Sequence, residues 1–118
     1  MNTIATVLTA LVAVLHGYFL VLEMFLWDRP MGRRVFGTTP EFATASKTLA
    51  GNQGLYNGFL AAGLIWGLTL GSPGVPICIF FLICVLIAGI YGGMTANRRI
   101  LLVQGAPAAL ALGALLLR

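Results

Sequence analysis

Residues 11–27 read LVAVLHGYFLVLEMFLW, and this stretch decides the class of fold. It is apolar except for His16 and Glu23, and the apolar run extends back to Ile4, giving 24 residues from Ile4 to Trp27. At a helical rise of about 1.5 Å per residue, that length crosses a hydrocarbon core of ~30 Å. His16 and Glu23 are seven residues apart and share nearly one helical face. Ionisable groups at membrane depth are costly and turn toward a bundle interior or water, so they are the first candidates for function.

Three further apolar segments follow, so four helices are expected, over about 3–27, 51–70, 75–96 and 100–117. Asp28-Arg29-Pro30 ends the first, because the residue before proline disfavours helix. Gly71-Ser72-Pro73-Gly74 is a tight-turn signal and Asn97-Arg98-Arg99 a short polar turn. Pro107 should kink the fourth helix and free a carbonyl. The connection 28–50 is the only long polar one. Within it Thr39-Pro40-Glu41 reads as an N-cap, a proline at N1 and an acid in the first turn. A short helix should start there and either lie on the membrane surface or run on into the second span. These connections predict an all-α polytopic membrane protein, one domain over 1–118, folded as an antiparallel four-helix transmembrane bundle.

Composition agrees. Of 118 residues, 59% are hydrophobic and 8% charged, against about 25% charged in a soluble domain. The net charge of +4 is placed as orienting charge and excludes a nucleic-acid partner: Arg29, Arg33, Arg34 and Lys47 lie in one connection, Arg98 and Arg99 in another. The positive-inside rule puts both connections in the cytoplasm and both termini outside, in a multi-pass inner (plasma) membrane protein. The basic residues could also hold anionic lipid headgroups, at Arg29, Arg33, Arg34, Arg98 and Arg99. The first apolar run is longer than a signal-peptide h-region and no Lys or Arg precedes it, so it reads as a retained span. Trp27 suits an interfacial anchor.

Small residues set the packing. Gly54, Gly58 and Ala62 lie on one face of the second span, Gly63, Gly67 and Gly71 on another, and Gly89 and Gly93 on the third. Such spacing lets backbones approach closely in lipid, within the chain or across a homo-oligomer. Cys78 and Cys84, six apart, point to different sides of a helix and read as small buried apolar residues.

Depth selects the candidate site. His16 falls near mid-membrane, and Glu23 about 10 Å nearer the cytoplasm. Counted from the same side, Asn52, Gln53, Tyr56 and Asn57 open the second span, Tyr91 lies near the end of the third, and Gln104 is one turn into the fourth. Glu23, Asn57, Tyr91 and Gln104 thus share a level. This predicts a polar cavity in the cytoplasmic half with His16 at its floor. Three uses are open. The groups could be interhelical glue. They could bind, and translocate, a small polar or amphipathic ligand. Or His16 and Glu23 could act as acid and base, making the protein an enzyme. One His, one intramembrane Glu and two misaligned Cys are too few for a metal site, and no cofactor is expected.

At these residues the chain resembles a family of small bacterial four-span membrane proteins known as domain of unknown function 1304. The resemblance rests on the H-x6-E of His16 and Glu23 followed by Trp27, on NQGLYNGFLAAGL (Asn52 to Leu64), on AGIYGG (Ala88 to Gly93) and on QGAPA (Gln104 to Ala108). It implies the four-span fold and no particular activity. A looser likeness to the DoxX-like proteins is one of fold alone.

Overall fold

Asn2 caps the first helix: its Oδ1 accepts from the Ala5 amide at 2.8 Å, which satisfies one of the amides a helix start leaves orphaned. Helix α1 then runs Thr3–Met24. The computed structural model describes Met1–Arg118, and every regular element in it is helical. The remaining elements are α2 (Pro30–Phe36), α3 (Pro40–Thr69), a 3-10 turn (Ser72–Gly74), α4 (Val75–Thr95) and a final helix α5 (Arg98–Leu116).

Three helical stretches are long and apolar enough to cross a membrane: Thr3–Met24, Ser72–Thr95 and Arg98–Leu116. Helix α3 has the length, at 30 residues, but Asn52, Gln53 and Asn57 dilute its apolar half.

Three boundaries differ from the sequence reading, while the helix from residue 40 takes one of its two expected courses. Helix α1 stops at Met24 rather than Trp27, and the chain turns at once, with the Arg29 amide donating to the Leu26 carbonyl. The connection then contains a helix that was not expected, α2, opened by Pro30 and closed by Gly37 in the left-handed region at φ 67°. The helix from residue 40 runs unbroken through the second apolar segment. Its start is capped by Thr39, whose hydroxyl accepts from the Phe42 amide at 3.2 Å. The last helix starts earlier than expected, because Asn97 caps it through an Arg99 amide bond of 2.9 Å.

Pro107 acts in a specific way. The turn before it, Leu101–Gly105, is π-helical, with the Ala106 amide bonded to the Leu101 carbonyl. Proline has no N–H for the carbonyl four residues back and its ring crowds that carbonyl. A turn widened by one residue relieves both.

The chain divides into two compact units, Met1–Val14 with Leu60–Arg118, and Leu15–Phe59. The first has a core of Ala5, Val12, Ala13, Leu64, Val75, Cys78, Leu82, Val85, Ala108, Ala111 and Leu115. Glycine makes its close crossings possible. A Cβ on Gly89 would lie 2.6 Å from the Gly105 amide nitrogen, and one on Gly63 would lie 2.3 Å from the Phe81 ring. Cys78 fills the notch at Gly67, where a Cβ would meet its sulfur at 2.5 Å. The outward faces carry exposed Phe80, Ile87, Leu110 and Leu116, as lipid-facing helices do.

The second unit is a knot of helix ends. A Cβ on Gly32 would lie 1.9 Å from the Leu26 carbonyl oxygen, so only glycine lets α2 fold back on the end of α1. The Trp27 indole packs on Phe36 at 4.9 Å between centroids. Its N–H donates to the Ser46 hydroxyl at 3.0 Å, which in turn donates to the Phe42 carbonyl. Lys47 and Asp28 form an ion pair at 3.0 Å.

Candidate functional site

Glu23 and Asn57 meet between α1 and α3. The Asn57 amide donates to Glu23 Oε1 at 2.5 Å. The contact exists because α3 is bare on this face. A Cβ on Gly54 would lie 3.0 Å from Glu23 Cβ and 2.7 Å from Met24 Cγ, and one on Gly58 would lie 2.5 Å from Leu20 Cδ1. With no side chains at 54 and 58 the helices close up, and the carboxylate of Glu23 reaches the amide one turn further along α3. Asn57 is buried, at 5% exposure, while Glu23 is half-buried. The Glu23 carboxyl, on an apolar helix, thus has the oriented Asn57 amide as its partner.

His16, two helical turns toward the N-terminus on the same face of α1, is fully buried. Its ring meets Phe19 edge-on, 5.3 Å between centroids and 75° between planes. The fold thus places His16, Glu23 and Asn57 inside. It leaves Asn52, Gln53 and Tyr56 exposed on α3, turned away from the Glu23–Asn57 pair. Gln53 and Asn57 are four apart, but the helix turns about 40° over four residues, and only Asn57 is covered. In the other unit, Tyr91 is exposed on α4 and Gln104 is half-buried in the π turn.

The sequence reading passed over Thr9. Its hydroxyl is fully buried and has no hydrogen-bond partner. The signal was present, since Thr9, His16 and Glu23 recur every seven residues along α1. A polar heptad in an otherwise apolar helix marks one inward face. No three His, Cys, Asp or Glu side chains come together as a metal-ligand set. Both cysteines are free thiols.

The comparison with known proteins covers the stretches on α1, α3, α4 and α5 that carry the resemblance. The proteins of unknown function DUF1304 match residues 10–116. The chain belongs to the DUF1304 family. One relative is the uncharacterized protein YpaA of Lactococcus lactis subsp. lactis (strain IL1403), 36% identical over 114 residues, which cover 95% of this chain and 96% of YpaA. No solved structure matches, so the DoxX-like comparison carries no argument. The DUF1304 match takes in His16, Glu23 and Asn57 together with the glycines that seat them.

Proposed function

We propose that this DUF1304 protein is a four-span inner-membrane protein that uses Glu23, Asn57 and His16 to bind a small polar or amphipathic ligand from the cytoplasmic side. The observation that carries the reading is the Glu23–Asn57 pair. A half-buried carboxylate on a membrane helix has an oriented amide as its partner, and a fully buried imidazole lies two turns deeper. Polar groups at such depth are expensive and mark a functional site by default.

The fourth span in this reading is α3. Its apolar half exposes Phe59, Ile65 and Trp66, a face suited to lipid. Charge supports it as well. If α3 crosses, Arg29, Arg33 and Arg34 lie on the same side as Arg98 and Arg99, as the positive-inside rule requires. If it does not, the two basic groups fall on opposite sides.

Native mass spectrometry of protein purified in mild detergent, wild type beside Glu23→Gln, tests the ligand. A retained lipid or metabolite, lost in the variant while the fold survives, is the expected result. A bare wild-type protein whose stability falls by about 1 kcal/mol on the substitution, the scale of an interhelical hydrogen bond in a membrane, would leave the pair as structural glue.

A further inference from the structure

The turn joining α2 to α3 carries two buried donors with nothing to bond. Arg33 Nε and the Thr38 hydroxyl are both shut off from solvent, and neither has a hydrogen-bond partner in the protein. They belong to one turn: the Gly37 and Thr38 amides both donate to the Arg33 carbonyl. A buried donor without an acceptor costs on the order of 1–3 kcal/mol, more when charged, so an acceptor that reached this turn from outside the chain would be favoured.

The surroundings say what kind. Asp28 is paired with Lys47 and also feels the charge of Arg29, and Glu41 forms no ion pair, so Arg33 and Arg34 have no carboxylate to neutralise them. Around this unpaired charge are apolar groups that stay exposed, Met31 and Val35 on α2 and Phe42 on α3. The half-buried Trp27 fixes the level as that of a membrane interface. Two uncompensated guanidinium groups, with Arg29 next to them, beside exposed apolar side chains at the end of a spanning helix match a ligand with an anionic head and an acyl body.

We propose that this turn is a headgroup site for an anionic phospholipid, with Arg33 and Thr38 donating to phosphate oxygens and Arg29 and Arg34 supplying further charge. The site is separate from Glu23 and depends only on α1 being a span. It also distinguishes this turn from Arg98 and Arg99, which have charge but no buried unpaired donor.

Thermal melting in mild detergent, with phosphatidylglycerol, phosphatidylcholine or inorganic phosphate added, tests it on wild type, Arg33→Gln, Thr38→Val and an Arg98→Gln/Arg99→Gln variant. Phosphatidylglycerol should raise the Tm of the wild type and of the Arg98/Arg99 variant, where phosphatidylcholine and phosphate do not. The gain should vanish in Arg33→Gln and shrink in Thr38→Val. Should Arg33→Gln fail to fold, Thr38→Val decides alone, because its hydroxyl has no bond within the protein to lose. An equal response to phosphatidylcholine, an equal response to free phosphate, or an undiminished response in Thr38→Val would each overturn the proposal.

Discussion

Thr9 shows how a single atom in this chain can be read against its surroundings. Its side chain is fully buried, yet the hydroxyl bonds to nothing. Valine has nearly the same shape and removes the unpaired group. Thr9→Val is therefore expected to raise stability by about 1 kcal/mol, read as a higher melting temperature in detergent. A clear loss of stability would mean that the hydroxyl has a partner supplied by a bound molecule. Asp28 behaves in the opposite sense. The hydrogen bond from Lys47 holds its carboxyl below the usual 3.8. A depressed pKa adds stability above the unfolded-state value, and the contribution is lost as pH falls through the lowered one. Melting curves of wild type and Asp28→Asn should differ slightly at neutral pH and converge in acid. The difference is small because the pair is exposed and screened. His16 and Glu23 were legible from sequence as ionisable residues in an apolar run. The unpaired hydroxyl of Thr9 was not, because sequence does not show which hydroxyls find acceptors.

At the scale of the element, glycines divide into those that something touches and those that nothing does. Gly89 crosses Gly105 backbone to backbone, so a Cβ there meets atoms that cannot swing away. Gly113, on the exposed side of α5, has nothing within 4 Å. Gly89→Ala should destabilise by about 2 kcal/mol through overpacking. Gly113→Ala should stabilise by up to about 1 kcal/mol through helix propensity alone. Side-by-side melts of the two variants check both, and equal effects would show that the α4–α5 crossing is less tight than described. The glycine spacing was readable in advance, and so were the two turns it frames. Helix α2 was not read, although Pro30 and Gly37 bracket it as a proline start and a glycine stop. Its seven residues are too few for periodicity to register. The early end of α1 was hidden for another reason: Phe25, Leu26 and Trp27 are apolar enough to continue a span, and the stop comes from Gly32 folding back onto Leu26.

For the whole molecule the decisive quantity is the number of crossings. Three helices have the length and apolarity to cross, and α3 makes the fourth only if its polar first turns are accommodated. An even number puts both termini on one side, and an odd number separates them. Reporter fusions at each end that are active only outside the cytoplasm should both be active. One active and one inactive would reduce α3 to a peripheral helix. Sequence led to the all-helical class and the family through its apolar runs and a few polar landmarks. It could not decide which polar residues of α3 turn inward. Asn52, Gln53, Tyr56 and Asn57 occur within six positions, and only contact with Gly54's bare face and Glu23 singles out Asn57.

The π turn at Leu101–Gly105 makes the tail of the chain a matter of counting. One residue more than an α-turn sits there, and everything after Ala106 is phased by it. Deleting one residue from that turn would restore ordinary winding and leave the composition almost untouched. Ala108, Ala111 and Leu115 would keep their buried positions, because the wide turn takes up its extra residue without changing the phase of the helix beyond it. The last helix thus carries its own slack link: one residue can be lost inside the wide turn, while a loss from the regular helix after Ala106 would rotate the side chains beyond it by about 100° and present the wrong face.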